Sequence, residues 1–128
     1  MGLIQQSIEV TGERGTVSAS ALYDTGASLS FLRRDIAERV GVPVRLARPM
    51  RFEMGRAGEF LEVNEQIALS FTVSGVELLE SFLVADGLSE EAIIGARTMQ
   101  KWGIKLDPEH ESVTVDPKAS RLKFVAFR

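Results

Sequence analysis

Short β-rich segments separated by turn-forming residues fill most of this sequence, and they constrain the fold more than any other feature. Residues 3–10 and 15–23 flank the turn sequence TGERG, which predicts a β-hairpin. Residues 65–73 and 76–84 flank a Ser-Gly dipeptide, which predicts a second hairpin. With about ten such short strands, we expect an all-β fold: a closed or nearly closed β-barrel with one or two short helices.

Further segments complete this prediction. The stretch 49–63 alternates apolar and polar residues on both sides of a Gly-Arg-Ala-Gly sequence, which is typical of a hairpin with a glycine-bearing tip. Residues 32–40 repeat apolar side chains at helical spacing before a glycine and a proline, and they predict a short amphipathic helix. The remaining predicted elements are short: a buried strand at 92–95, a helix at 96–102, and strands at 104–107, 112–116 and 121–127.

The composition indicates one soluble domain and excludes several kinds of site. The 128 residues are 45% hydrophobic and 26% charged, as expected for a single domain spanning residues 1–128. The absence of cysteine excludes disulfides, thiolate metal sites and cysteine nucleophiles. Because His110 is the one histidine, carboxylates must carry any side-chain acid–base chemistry that remains.

Charge is distributed unevenly along the chain, although the net charge is only −3. Residues 33–56 contain seven arginines and three acids, whereas residues 57–96 contain eight acids and no base. Since no row of aromatic side chains accompanies the arginines, we expect a solvated face and no nucleic-acid partner. The N-terminus lacks a basic flank, and no stretch approaches the roughly 18 apolar residues of a membrane span. We therefore expect a cytoplasmic protein with no membrane partner.

One cluster of oxygen and nitrogen ligands allows two interpretations. Asp107, Glu109, His110 and Glu111 could be drawn as a metal site. They lie in a charged turn that contains a proline, and such turns are far more often simply exposed. We therefore expect no metal there.

The sequence Asp24-Thr25-Gly26 concentrates the candidate chemistry. The apolar strand before Asp24 would deliver its carboxylate to one end of a packed sheet. Gly26 lets the backbone turn sharply and approach a partner closely, and the Thr25 hydroxyl can tie the loop to a neighbouring backbone. The same three residues also fit a simple β-turn. Two downstream segments favour the functional interpretation: the glycine-tipped hairpin, and an Ile-Ile-Gly sequence that leads into a short helix.

With these segments in this order, the sequence resembles the retropepsin-like aspartic proteases, the single-domain family of retroviral proteases and their cellular and bacterial relatives. YDTGAS matches the family's catalytic loop, and the residues after it look like the cellular branch. IIGARTMQKWG looks like the family's second hydrophobic-hydrophobic-glycine element with its helix, and PMRFEMGRAGEF stands where the family has its flap. The resemblance extends from about residue 3 to residue 107.

The resemblance implies a set of site residues and an oligomeric state. Aspartic proteases use two carboxylates that share a proton, one acting as a base toward water and the other as an acid toward the scissile carbonyl oxygen. This chain has one Asp-Thr-Gly, so the second carboxylate would come from Asp24 of another copy. The implied site is catalytic Asp24; Thr25, Gly26, Ala27 and Ser28 in the catalytic loop; Phe52, Met54, Gly55, Arg56, Ala57, Gly58 and Phe60 in the flap; and Ile93, Ile94 and Gly95 in the second glycine element.

The function implied is a homodimeric aspartic endopeptidase that cleaves an extended peptide and uses no metal or organic cofactor. The alternative is a dimerisation or peptide-binding module with negligible proteolysis, because Ser28 and Ala96-Arg97 replace polar groups that brace the dimer in relatives. The run 121–127 is apolar enough for an intersubunit strand, with an internal edge strand as the alternative.

Side chains near the site give narrower expectations. Relatives with serine at the position of Ala27 can offer a hydroxyl to the catalytic carboxylate, which favours its ionised form. Alanine cannot, so we expect a pH optimum nearer mildly acidic to neutral than strongly acidic. In the flap segment, Arg51 and Arg56 could favour acidic substrate side chains.

Overall fold

The computed structural model describes residues 3–53, 58–116 and 118. Those residues form nine β-strands and two short helices. In chain order the elements are β1 Leu3–Gly12, β2 Gly15–Asp24, β3 Phe31–Arg33, α1 Arg34–Val40, β4 Val44–Glu53, β5 Phe60–Val73, β6 Val76–Ala85, β7 Ala92–Ile94, α2 Ala96–Trp102, β8 Ile104–Asp107 and β9 Ser112–Val115. The predicted strand at 121–127 lies outside the described residues.

Six strands close into a barrel. The ring runs β1-β2-β7-β3-β6-β5, and β5 returns to β1 through antiparallel pairs that include Val10 with Phe71. Strand β4 pairs with β5 outside this ring, and β8 and β9 form a separate two-stranded sheet. A closed ring removes the free sheet edge that an open arrangement would leave at its first and last strands. The prediction of a closed or nearly closed barrel with one or two short helices is confirmed: the barrel is closed and the described residues form two helices.

Alternate residues of the strands fill the barrel. In β2, Ala19, Ala21 and Tyr23 are buried, while the residues between them are more exposed. This period of two follows from the pleat of a strand, which points successive side chains to opposite faces. Phe71 of β5 and Phe82 of β6 meet edge to face in this core, with ring centroids 5.6 Å apart. The hairpins predicted from alternation therefore bury the face that the pattern marks as apolar.

The predicted helix at 32–40 begins two residues later than expected. Leu32 belongs to β3, where it pairs with Val84 of β6 and with Ala92 of β7. These two ladders hold the segment extended and bury Leu32 completely. Helical spacing of apolar residues cannot reveal such pairing, because the partners are about fifty to sixty residues away in sequence.

Strand β5 is continuous where two separate strands were expected. Its first part pairs with β4 and its second part with β6, so one strand of 14 residues serves both the outer hairpin and the barrel. Strand β4 starts at Val44, earlier than the expected residue 49, and its register shifts between Arg45 and Met50. The flap-like β4–β5 hairpin therefore shares strand β5 with the barrel wall.

A second, smaller hydrophobic cluster lies apart from the barrel core and includes Phe31, Val63, Leu88 and Ile93. Phe52 of β4 packs against it, edge to face with Phe31 at 5.1 Å between ring centroids. This contact holds the end of the β4–β5 hairpin that lies nearest its tip beside the cleft at Asp24. In the described part of the chain, neither helix has the length and apolar character to cross a membrane.

Candidate active site

Asp24 is the last residue of β2, and the strand is held on both sides up to that point. It pairs with Leu3 of β1, and the preceding Tyr23 pairs with Ile4 of β1 and Ile94 of β7. Tyr23 is fully buried, whereas Asp24 is half-buried. The apolar strand therefore places a carboxylate at one end of the packed sheet, as the sequence predicts.

The backbone after Asp24 turns back on the carboxylate. The Gly26 amide donates to Asp24 Oδ1 at 2.8 Å, and the Ala27 amide donates to the Asp24 carbonyl oxygen at 3.1 Å. A Cβ on residue 26 would lie 3.2 Å from Asp24 Oδ1, which explains why glycine suits this position. One carboxylate oxygen is thereby oriented by the loop's own backbone.

The loop that follows Asp24 also caps helix α2. The first helical amides, of Ala96 and Arg97, donate to the carbonyl oxygens of Ala27 at 2.7 Å and Ser28 at 3.1 Å. The helix has no side-chain cap, so these loop carbonyls satisfy amides that a helix N-terminus otherwise leaves unpaired. Two segments about seventy residues apart in sequence are therefore joined by direct backbone hydrogen bonds.

Gly95 brings these two segments into close contact. A Cβ at this position would lie 2.3 Å from the Leu29 carbonyl oxygen and 2.9 Å from the Ala27 carbonyl oxygen. Its φ of −92° is open to any residue, so contact rather than backbone conformation demands glycine here. This close packing explains why a glycine follows the two isoleucines.

A cleft of about 520 Å³ opens beside Asp24. Its walls are mostly apolar, with Asp24 and Glu53 as the carboxylates among the described lining residues. The lining residues are Asp24, Gly26, Ala27, Ser28, Leu29, Phe31, Phe52, Glu53, Leu61, Leu88 and Ile93. A mostly apolar cleft with a few polar groups is the usual form of a binding site.

The structure distributes the remaining loop and glycine-element residues between the cleft and the core. Ile93 lines the cleft, whereas Ile94 is fully buried in the barrel core, because successive residues of β7 face opposite sides. Thr25 is exposed, and its hydroxyl forms no hydrogen bond with any described residue. The predicted tie from Thr25 to a neighbouring backbone is therefore absent from the described part of one chain.

The residues expected to form a flap divide between the two faces of the β4–β5 hairpin. Phe52 pairs with Leu61, and both line the cleft. Phe60 is half exposed and lies under the Arg51 guanidinium, whose carbon is 4.5 Å from the ring centroid. Leu61, rather than the expected Phe60, thus contributes to the cleft wall. Gly58 is exposed with φ +81°, and the expected flap residues Met54, Gly55, Arg56 and Ala57 lie outside the described residues.

Sequence reasoning missed several lining residues. Leu29 and Phe31 alternate after the Asp-Thr-Gly sequence, so a period of two continued past residue 26 could have indicated them. Leu88 is the buried residue of the loop between β6 and β7, and nothing in its local sequence indicates that it reaches the cleft. Glu53 precedes the tip of a hairpin, where strand alternation is a weak guide to side-chain direction.

The candidate metal ligands lie elsewhere, in the turn between β8 and β9. Ligand atoms of Asp107, Glu109 and His110 fall within 4.8 Å of one another, and all three residues are exposed. Asp107 Oδ2 lies 2.7 Å from His110 Nδ1. These contacts fit the exposed charged turn expected from the sequence.

Comparisons with known proteins agree with this geometry. A family model described as Ty3 transposon peptidase matches residues 6–123. The fold is similar to the retroviral protease-like domain of Ddi1 from Leishmania major, with 23% identity over 91% of this chain and 90% of that one and a TM-score of 0.68. It is also similar to the EIAV protease in complex with the inhibitor HBY-793, with 23% identity over 80% of this chain and 90% of that one and a TM-score of 0.56. No curated protein matches.

Proposed function

Because the chain belongs to the Ty3 transposon peptidase family, we propose that it is an aspartic endopeptidase in which two copies of the chain each contribute Asp24 to one catalytic dyad. The observation that carries this proposal is the Asp24 carboxylate at the edge of a mostly apolar cleft. Its geometry is held by the Gly26 amide and by the loop's contacts with helix α2.

The chemistry requires a second carboxylate. In the dyad, one Asp24 takes a proton from water while the other donates a proton to the carbonyl oxygen of the scissile peptide bond. Both transfers need the pair to hold one proton between them, which two close carboxylates favour because they cannot both ionise easily. The chain has one Asp-Thr-Gly sequence, so a two-fold arrangement of two copies supplies the pair.

The surroundings of Asp24 support such an arrangement. Thr25, the next residue after Asp24, is exposed, and Leu3, which pairs with Asp24, is 51% exposed although it is apolar. Groups of this kind are suited to burial against a second copy. An extended peptide would then lie between the catalytic loop and the β4–β5 hairpin, with apolar side chains against Phe31, Phe52 and Leu61.

A pair of aspartate substitutions tests the proposal. Asp24→Asn should abolish cleavage of a diverse peptide mixture, because an amide can serve neither as base nor as acid in the dyad. The matched control is Asp86→Asn, because Asp86 is exposed and does not line the cleft. Since this variant also loses an ion pair with Arg34, all proteins are assayed well below their melting temperatures. Equal activity of Asp24→Asn and the wild type would contradict the proposal.

Mixing experiments test the shared dyad. When the Asp24→Asn chain is added in excess to the wild type and subunits exchange, mixed dimers carry one aspartate each, and activity per wild-type chain should fall toward zero. An unchanged activity per wild-type chain would show that one chain suffices. Sedimentation of the wild type should show a dimer. A confirmed dimer that cleaves no peptide would favour the alternative, a peptide-binding module.

A further inference from the structure

Two buried hydroxyl groups meet beneath the catalytic loop. Ser30 follows that loop and is 4% exposed, and Thr98 lies in the first turn of α2 and is 3% exposed. Their oxygens, Ser30 Oγ and Thr98 Oγ1, are 2.7 Å apart. Neither side chain lines the cleft, and the proposed chemistry does not use either one.

Ser30 connects three elements at this point. Its Oγ accepts a hydrogen bond from the Gly95 amide at 2.9 Å, just before α2. Its carbonyl oxygen accepts one from the Leu83 amide of β6 at 3.0 Å. Ser30 therefore fixes the end of the catalytic loop to the helix through its side chain and to the barrel wall through its backbone.

The hydroxyl pair can satisfy both groups at once. A hydroxyl has one donor hydrogen and two acceptor lone pairs, so Ser30 Oγ can accept from Gly95 and still share a hydrogen with Thr98. Since the site is buried, loss of the Ser30 oxygen would leave the Gly95 amide without its partner. The Ala96 and Arg97 amides, which bind the loop carbonyls, come directly after Gly95 in the chain.

We propose that Ser30 and Thr98 are positioning residues for the reaction: their buried hydroxyl pair holds the catalytic loop against α2 and so sets the geometry of the Asp24 carboxylate. The inference rests on the proposed function. It follows from the order of contacts, in which Thr98 supports Ser30, Ser30 supports Gly95, and the next two amides of the helix hold the loop carbonyls after Asp24.

The structure predicts a graded series of effects on kcat. Ser30→Ala removes the acceptor for Gly95 and should lower kcat by roughly tenfold to a hundredfold with KM little changed, since a small displacement of a catalytic group is costly. Thr98→Val keeps the side-chain volume and the hydrogen bond between Ser30 and Gly95, so its kcat should fall less than that of Ser30→Ala. Thr98→Ser restores the hydroxyl and should recover most of the wild-type kcat.

A matched control separates positioning from general stability. Ser70 is another buried serine, 7% exposed, and its hydroxyl donates a hydrogen bond of 2.6 Å to Glu77 Oε2. Ser70 does not line the cleft. Ser70→Ala should lower the melting temperature without changing kcat. If Ser30→Ala and Thr98→Val lose no more kcat than Ser70→Ala, measured well below all melting temperatures, the positioning role is refuted.

Hydrogen exchange tests the same role without relying on activity. In Ser30→Ala, the amides of Gly26, Ala96 and Arg97 should exchange at least tenfold faster than in Ser70→Ala, because the loop and helix cap separate more often. Equal exchange in the two variants would overturn the inference. If the wild type cleaves no peptide, the proposed function fails, while the exchange comparison still decides whether the hydroxyl pair holds the loop.

Discussion

Gly95→Ala adds a single methyl group at the contact between the loop that follows Asp24 and helix α2. The new Cβ would lie 2.3 Å and 2.7 Å from the carbonyl oxygen and carbon of Leu29. Both are backbone atoms, so no flexible side chain can turn aside. To reach ordinary contact distance, the loop must move by roughly 1 Å, in an interior packed as densely as an organic crystal.

The expected cost can be given in energy and in activity. Overpacking of this kind typically costs about 1–3 kcal/mol, and a clash with backbone belongs at the upper end. At roughly 4 °C per kcal/mol for a domain of this size, the melting temperature should fall by about 10 °C. Because the same displacement strains the Ala96 and Arg97 bonds to the loop, peptidase activity should fall as well.

Gly75→Ala is the control for this experiment. Gly75 has φ +78° and open space around its Cβ position, so alanine there meets backbone strain without any clash. Such strain costs about 1–2 kcal/mol, and activity should be unaffected. Calorimetry and a peptide-cleavage assay of both variants give the comparison. A Gly95→Ala protein that melts within a few degrees of the wild type and is fully active would refute the described packing.

Three further changes have expected outcomes. Burial raises the pKa of Tyr23, the only tyrosine, and its hydroxyl has no hydrogen-bond partner among the described residues. Tyr23→Phe should therefore leave the melting temperature unchanged or raise it. Because the phenol ionises more easily in the unfolded chain, the wild type should lose stability above about pH 10, and the Tyr23→Phe protein should not lose stability for this reason. Ala27→Ser should move the acidic limb of the activity profile to lower pH, because a donated hydroxyl favours the ionised carboxylate; an unmoved limb contradicts this. The guanidinium nitrogens of Arg34 lie 2.5 Å from carboxylate oxygens of both Glu65 and Asp86. Arg34→Met should therefore lower the free energy of unfolding, measured with urea, by about 1 kcal/mol at low salt and by less at high salt. A loss that is independent of salt would exclude the ion pairs as its cause.

Local pattern was sufficient for the elements whose partners are close in sequence. The hairpin of β1 and β2 and that of β5 and β6 follow from alternation around a turn, and α2 follows from apolar spacing that ends at Gly103. The sequence pattern gave wrong element boundaries where pairing with strands distant in sequence sets the backbone conformation. Leu32 fits a helix by spacing, yet two ladders from β6 and β7 make it extended. In β5, one uninterrupted strand replaces two because its two ends pair with different neighbours.

The sequence by itself indicated where the chemistry would lie: one Asp-Thr-Gly follows an apolar strand, in a chain without cysteine and with one histidine, which favours carboxylate chemistry and, under the proposed function, a second copy. Only the tertiary structure decided what surrounds that carboxylate. Leu61 lines the cleft and Phe60 does not, because successive residues of a strand point to opposite faces and only the folded hairpin shows which face meets the cleft. Ser30 and Thr98 meet across 68 positions of sequence, and the barrel brings them together where no periodicity of either segment could.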